Sequence, residues 1–340
     1  MAGDTGYGFN RKEDERSYEA ALAQGDIANA ARLGLRNVEA KIAETRFVAA
    51  RDLMEKIKAM LGTGGDATLR ARAHLLSGKL STLTGSLREA EAEVREAAAI
   101  CGELGNEEIT ADALLTLGSI HAASNRLSEA KAAYDAALGF YASRPGYDSK
   151  RGEALTALGD YHMSLGHVDE AEVSYQAARG AYEASLGDPR SDIGRANVRL
   201  AMGELYASLA RLTEAERMLY EALQLYRSHS VPLGEANALT ASGDVYAVRD
   251  RFKEAADAYK QALAILRQVG VPEWEERVTR ALSSPARAPR PRHPRRAPPL
   301  AAGSRRTAPR GPPRRARRRG ARHTRPSPSD RPSASPARGR

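Results

Sequence analysis

The stretch LTALGDYHMSLGHVDEAEVSYQAA, at residues 155–178, carries the pattern that decides the fold. Gly159 is followed seven positions later by a second glycine, Gly166, and Ala171 stands five positions after that. Apolar residues stand at helical spacing on both sides of Gly166, and Tyr175 belongs to the second of these stripes. The stretch therefore predicts two amphipathic helices joined by a tight turn.

The string that begins at the turn recurs along the chain. It reads GDIANA at 25–30, GSLREA at 85–90, NRLSEA at 125–130, GHVDEA at 166–171, ARLTEA at 210–215 and DRFKEA at 250–255. The final alanines of the last five copies, from 90 to 255, are 40, 41, 44 and 40 residues apart. In those copies a glycine stands seven residues before the turn residue, at Gly78, Gly118, Gly159, Gly203 and Gly243. A glycine inside a helix costs about 0.5–1 kcal/mol relative to alanine. Five in phase indicate that the partner helix approaches closely there, as in a stack of helix pairs.

The combined pattern, L-x-x-L-G-x-x-Y followed by G-x-φ-x-E-A-x-x-x-Y-x-x-A-L, resembles the tetratricopeptide repeat. The residues that carry it best are Leu155, Leu158, Gly159, Gly166, Ala171, Tyr175 and Ala178, and then Leu239, Gly243, Tyr246, Phe252, Ala255, Tyr259, Ala262 and Leu263. The period of about 40 residues and the linker EASLGDPRSDIGRA at 183–196 are similar to kinesin-light-chain repeats and to the sensor arrays of bacterial regulators. The resemblance implies an all-α fold, a right-handed α-solenoid of about six antiparallel helix pairs. Residues 26–61 match weakly, and Arg199 stands at a usually apolar packing position.

Charge divides the chain into two parts. Of the 52 basic residues, 18 are arginines within 281–340, where Asp330 is the only one of the 43 acids; that segment carries +17 and the remainder −8. The sequence predicts a flexible N-terminus at 1–10, a tetratricopeptide-like domain at 11–282 and a disordered Arg/Pro-rich tail at 283–340. A capping helix is expected from about 272 to Leu282. The best repeats are predicted at 67–105, 107–146, 149–188, 190–230 and 232–270.

Three interpretations of the tail remain open. Arginine-rich disorder binds nucleic acid through phosphate contacts, although the absence of interleaved aromatic residues argues against base stacking. A solvated tail without a role is the second interpretation. The third is a shifted reading frame, because the tail consists mostly of Arg, Pro, Ala, Ser and Gly, which GC-rich codons encode. The coding DNA distinguishes this last interpretation from the other two.

The family resemblance implies that the first helix of each pair lines a concave groove. Carried over place by place, the candidate groove residues are Arg72, Lys79, Asp112, Ser119, Glu153, Asp160, Asn197, Glu204, Asn237 and Asp244. The eight from the last four units comprise five acids, two asparagines and one serine, which predicts acidic walls. Small residues at two further places indicate a roomy groove; these places hold Ala122, Ala123, Met163, Ser164, Ala207, Ser208, Ala247 and Val248.

Acidic walls and asparagine amides fit an extended and preferably basic peptide, since amides both donate and accept hydrogen bonds. The alternative is that these acids merely form a solvated helix face. The family's two-carboxylate clamp for chaperone tails is excluded. That clamp needs Lys, Asn and Arg at set positions of the repeat. The fifth position of the repeat holds Leu75, Leu115, Thr156, Leu200 or Thr240 here.

No catalytic, metal-binding or cofactor-binding motif is recognised, so we expect neither an enzyme nor a cofactor. GTGG at 62–65 lacks the Lys-Ser/Thr of a phosphate-binding loop. His121 and His162 stand where the family has tyrosine and are expected to fill packing sites, and Cys101 is expected to be semi-buried. The aromatic content of 5% argues against a β-sandwich. The first residues show no secretory signal, and no uncharged apolar run in the sequence approaches the length of a membrane span. A cytoplasmic location is therefore expected.

The sequence thus predicts a protein-binding or peptide-binding scaffold or sensor module. One alternative is the regulatory array of a larger signalling or transcriptional regulator, and another is nucleic-acid binding through the tail. The expected partner is a protein or peptide of basic character, with the chain's own Arg-rich tail as an intramolecular candidate and nucleic acid less favoured. No membrane partner is expected.

Overall fold

The structure, a computed structural model, describes residues 11–185 and 189–283, and these residues form fourteen α-helices and no strand. The predicted all-α class is therefore confirmed. The segments 1–10 and 284–340, for which the sequence predicts a flexible terminus and a disordered tail, lie outside the described residues. The helices are α1 (Arg11–Ala23), α2 (Ile27–Ala43), α3 (Phe47–Leu61), α4 (Ala67–Leu83), α5 (Leu87–Leu104), α6 (Glu107–Ala123), α7 (Leu127–Ala142), α8 (Asp148–Leu165), α9 (Val168–Ala184), α10 (Pro189–Ser208), α11 (Leu212–Ser228), α12 (Pro232–Val248), α13 (Phe252–Val269) and α14 (Pro272–Ser283).

Six helix pairs form the array, from α2–α3 to α12–α13, and each first helix packs extensively against the second helix of its own unit. The first helices of successive units also pack against each other, α2 against α4 and so on to α10 against α12. Among the described helices, second helices of successive units make no comparable contact. The first helices therefore form the inner side of an α-solenoid, with α1 and α14 at its ends.

A left-handed residue ends the first helix of every pair. The six turn residues Thr45, Gly85, Asn125, Gly166, Ala210 and Asp250 have φ values of 60°, 79°, 59°, 78°, 57° and 58°. In each turn the amide of the next residue donates to a carbonyl five positions earlier, for example Arg126 N to His121 O at 2.8 Å and Arg211 N to Tyr206 O at 2.8 Å. This is the 6→1 bond of a Schellman cap. The recurring string is thus a helix C-cap followed directly by the next helix.

The string GDIANA at 25–30 proves to be out of phase with the repeat. It begins α2, which is the first helix of its pair, because α2 packs against α3 and against the next first helix, α4. The corresponding string in this unit is TRFVAA at 45–50, and its last residue, Ala50, stands 40 residues before Ala90. The repeat therefore extends one unit further towards the N-terminus than the in-phase glycines show.

Replacing Ala210 by glycine is expected to stabilise the protein. The left-handed conformation at φ 57° costs an L-residue roughly 1–2 kcal/mol, and the greater flexibility of unfolded glycine offsets part of this gain. We expect a net gain of about 0.5–1 kcal/mol in the free energy of unfolding. The matched control is Ala177→Gly at an exposed site within α9, which should lose about 0.5–1 kcal/mol. Thermal unfolding distinguishes them, and a loss in both would contradict the strained turn.

Arginines at the turns link successive units along one edge of the array. Each pairs with a glutamate near the start of the preceding second helix: Arg126 with Glu91 at 2.6 Å, Arg211 with Glu172 at 3.1 Å and Arg251 with Glu216 at 2.9 Å. The guanidinium groups of Arg211 and Arg251 also lie over the rings of Tyr206 and Tyr246, 4.1 and 4.4 Å from the centroids. His121 stands at the corresponding position, five residues before Arg126, and is buried. The predicted packing role of His121 is therefore observed. The arginine–glutamate pairs couple neighbouring repeats.

Candidate functional site

The inner surface consists of the exposed faces of the first helices α4, α6, α8, α10 and α12. The structure places the ten predicted groove residues on these five helices, two on each: Arg72 and Lys79, Asp112 and Ser119, Glu153 and Asp160, Asn197 and Glu204, and Asn237 and Asp244. Arg72, Glu153 and Asn197 are exposed, and the other seven are half-buried. The ten residues thus follow successive helices along one side of the solenoid.

Tyrosines from the second helices reach this surface through the in-phase glycines. The ring of Tyr175 on α9 lies against Gly159, and its hydroxyl donates to Asp160 Oδ1 at 2.8 Å. The unit of α12 and α13 repeats this arrangement, in which Tyr259 lies against Gly243 and donates to Asp244 Oδ1 at 2.7 Å. The glycine therefore makes room for an aromatic ring, and the ring holds the next residue of the inner surface.

A second row of tyrosines holds residues that stand seven positions earlier on the first helices, about two helical turns from the first row. Tyr141 donates to Asp112 Oδ1 at 2.5 Å, and Tyr226 donates to Asn197 Oδ1 at 2.7 Å. Tyr226 also lies against Gly234 of the following first helix. Both tyrosines are buried, with 1% of their surface exposed. Ser119 takes a longer bond of 3.5 Å from Tyr134, so five of the ten predicted residues accept a hydrogen bond from a buried tyrosine hydroxyl.

Anchored polar groups differ from the solvated helix face that the sequence left as an alternative. A free surface carboxylate samples several rotamers, whereas Asp160 and Asp244 are fixed by donors that are themselves packed in the core. A ligand that meets such groups loses less side-chain entropy on binding. The repeat pattern includes Tyr175 and Tyr259 but does not indicate these bonds, which only the structure shows.

The structure adds a basic group to the predicted groove, because Lys150 lies between two of the acids. Its Nζ is 3.2 Å from Asp112 Oδ1 and 3.4 Å from Glu153 Oε2. Burial works against the charge of Asp112, but Lys150, Lys79 and the hydrogen bond from Tyr141 together outweigh it and hold the pKa of that carboxyl below its ordinary value. Lys150 precedes the positions on α8 that the family resemblance assigns to the groove, so it is not among the predicted groove residues. Asp112 and Glu153 are committed to this internal pairing.

The groove is also less open than its small residues suggested. Met163 and Ala247, two residues predicted to leave room, are buried in the core with 2% and 7% of their surface exposed. Ala123 and Ser164 are exposed, as expected for residues of the surface. The free space is thus confined to part of each unit.

Asp244 is the acid whose charge the fold opposes most clearly. Burial raises its pKa above the ordinary value, and the hydrogen bond from Tyr259 and the positive charge of Arg277 only partly counteract this. A carboxyl with a raised pKa binds more protons in the folded than in the unfolded state between the two pKa values. Stability is therefore lost as the pH rises through that interval, and the ionised form is destabilising at neutral pH.

Asp244→Asn is accordingly expected to raise the melting temperature at pH 7. The amide oxygen can accept the bond from Tyr259, as Asn197 Oδ1 accepts from Tyr226, while the cost of a buried charge disappears. The difference from the parent chain should vanish below about pH 4, where the aspartate is protonated in both states. Asp257→Asn, at an exposed site on α13, is the control and should leave the melting temperature unchanged. A lower melting temperature for Asp244→Asn at pH 7 would contradict the raised pKa.

The described residues contain neither a metal-binding cluster nor an exposed cysteine. No group of three or more His, Cys, Asp or Glu side chains within the described ranges is placed to hold a metal ion. Cys101 is fully buried, and burial raises the pKa of its thiol, which lowers the fraction of reactive thiolate. None of the described helices combines the length and the apolarity that crossing a membrane needs.

Comparisons with known proteins agree with this architecture. Family models of the tetratricopeptide repeat match residues 111–143 and 194–268. A Rap protein complexed with competence and sporulation factor matches with a TM-score of 0.62 at 13% identity, over 79% of this chain and 78% of that chain. NprR in complex with its cognate peptide NprX matches with a TM-score of 0.57 at 16% identity, over 83% and 80%. No curated protein sequence matches significantly.

The fold and its inner surface define a class of protein, the α-solenoids built from helix pairs. The matching family models and the phase of the glycine and alanine positions then assign the helical array more narrowly. Residues 111–143 and 194–268 are tetratricopeptide repeats, and the other helix pairs of the array have the same fold.

Proposed function

We propose that the chain is a regulatory peptide-binding module whose inner surface, from α8 to α12, takes an extended peptide with basic side chains. The observation that carries this proposal is the set of tyrosine-held polar groups on successive first helices. Asp160, Asn197 and Asp244 lie on α8, α10 and α12, and each accepts a hydrogen bond from a buried tyrosine. A fixed polar group on each of three successive first helices suits a ligand that runs across these helices, as an extended peptide does.

The asparagines supply contacts for the peptide backbone. Tyr226 donates to the amide oxygen of Asn197 and so leaves the two N–H donors of that amide for a ligand. A peptide carbonyl is a suitable acceptor, and this contact does not depend on the peptide's side chains. Asn237 occupies the same place on the next first helix and is half-buried. Backbone contacts from Asn and charge contacts from Asp160, Glu204 and Asp244 together describe a site for a basic peptide.

The similar structures support the general kind of ligand. One is a complex of a Rap protein with competence and sporulation factor, and the other is a complex of NprR with its cognate peptide. At this low sequence identity the structural similarity establishes a common fold and no more. The residues that would select a ligand here are this chain's own. A binding role that regulates another protein is the function class consistent with these observations.

The proposal is tested with two labelled decapeptides, one of alternating Arg and Ala and one of alternating Gln and Ala. Fluorescence anisotropy with the full chain at low ionic strength should show saturable binding of the Arg peptide. The Gln peptide should bind at least about tenfold more weakly, and added salt should reduce the difference. Equal affinity for the two peptides, or no binding of either, would overturn the proposal.

A further inference from the structure

We infer that the peptide which fits the inner surface is bipolar, with an acidic block bound at the α4 end and a basic block bound at the α8–α12 end. This inference rests on the proposed function and adds the charge order of the ligand. It depends on the charges that the structure places along the first helices, and not on the acidic residues alone.

The α4 end of the inner surface is basic. Arg72 is exposed and Lys79 is half-buried, and neither forms a hydrogen bond or an ion pair with another described side chain. Lys79 nevertheless lies close enough to lower the pKa of Asp112 and of Glu153 on the next two first helices. Arg72 and Lys79 thus make the α4 end of the row of groove residues basic, which suits an acidic ligand group.

The middle of the surface contributes little net charge, and its far end is acidic. Lys150 pairs with Asp112 and Glu153, which leaves one negative charge among the three. Asp160 on α8, Glu204 on α10 and Asp244 on α12 provide the acids of the far end. The charge of Arg277 on α14 acts on Asp244 and ends the acidic stretch. The order along the surface is thus basic, nearly neutral and acidic.

The separation of the two ends sets the length of the ligand. Packed helices are about 9 Å apart, so the four steps from α4 to α12 span roughly 36 Å. An extended chain covers about 3.3 Å per residue, which corresponds to about eleven residues. A peptide of this length places three acidic residues at one end and three basic residues at the other. A uniformly basic segment matches only one half of the surface and meets like charge at Arg72 and Lys79.

The test compares two labelled peptides of identical composition, each with three Arg, five Ala and three Glu. In the block peptide the three Arg and the three Glu form separate ends, and in the other peptide they alternate between alanines. The full chain should bind the block peptide about tenfold more tightly at low salt, since only this order places opposite charges at both ends. The double variant Arg72→Glu/Lys79→Glu should lose that preference, because its α4 end no longer attracts the acidic block.

The matched control is Arg88→Glu/Arg95→Glu, which makes the same change of charge at exposed sites on the second helix α5 and should keep the preference. Equal affinity for the two eleven-residue peptides would overturn the bipolar order. A preference that survives in the Arg72→Glu/Lys79→Glu variant would overturn it as well. In either case binding of the Arg-Ala decapeptide would leave the proposed function standing, and its absence would remove both.

Discussion

Replacing Asp160, Glu204 and Asp244 together by lysine is expected to lower the affinity for the Arg-Ala decapeptide by at least about a hundredfold. Each replacement changes an attraction into a repulsion at a half-buried position, for which roughly 1 kcal/mol per site is a conservative figure. Three such sites give about 3 kcal/mol, and a tenfold change in affinity corresponds to 1.4 kcal/mol. Anisotropy titrations of the parent and variant chains measure the effect.

A control of equal net charge separates the inner surface from general electrostatics. Glu103, Glu183 and Asp257 are exposed on the second helices α5, α9 and α13, and replacing them by lysine should change the affinity by no more than about threefold. Because lysine breaks two tyrosine bonds, a milder variant, Asp160→Asn/Glu204→Gln/Asp244→Asn, keeps the acceptors and should lose about tenfold. Equal losses in the inner and outer lysine variants would place the binding elsewhere.

Gly243→Ala is expected to destabilise the protein by about 1–3 kcal/mol, although alanine is the better helix former. A Cβ at this position would lie 2.5 Å from Cε1 of the Tyr259 ring. That ring is fully buried, and its hydroxyl is held by Asp244, so it has little room to move. Denaturant unfolding of parent and variant measures the loss.

Gly180→Ala is the matched control, because a Cβ there would meet no atom within 4 Å. This second mid-helix glycine should gain about 0.5–1 kcal/mol when it becomes alanine. In a Tyr259→Ala background the cost of Gly243→Ala should largely disappear, since the clash is with that ring. Stabilisation by both alanine substitutions would contradict the role assigned to the in-phase glycines.

The sequence predicts the array well because its constraint is local and recurs. The in-phase glycines and the fully buried alanines at 90, 130, 171, 215 and 255 are both visible as a period near 40. The reason for the glycines was only partly foreseen. A close approach of the partner helix was expected, and the structure shows that a side chain of that helix, most often a tyrosine ring, occupies the space. At Gly203 the side chain is Leu219.

Other features depend on geometry that a repeat pattern does not encode. Lys150 lies outside the places that the family uses for ligands, and only the stacking of α6 and α8 brings it to Asp112. The bond from Tyr226 to Asn197 joins residues 29 positions apart and follows from the crossing of two helices. Thr45 and Ala210 adopt a left-handed conformation that their residue types rarely favour, so the turn at Thr45 was not recognised. The basic group that Lys150 adds to the groove is therefore seen only in the structure.

Photo-crosslinking tests most directly whether the first helices hold the peptide. A benzophenone at the centre of the Arg-Ala decapeptide, irradiated with the full chain and followed by mass spectrometry of the digested product, identifies the residues next to the bound peptide. We expect the attachments to lie on α8, α10 and α12, near Asp160, Glu204 and Asp244. Attachments confined to the second helices α9, α11 and α13 would contradict the account.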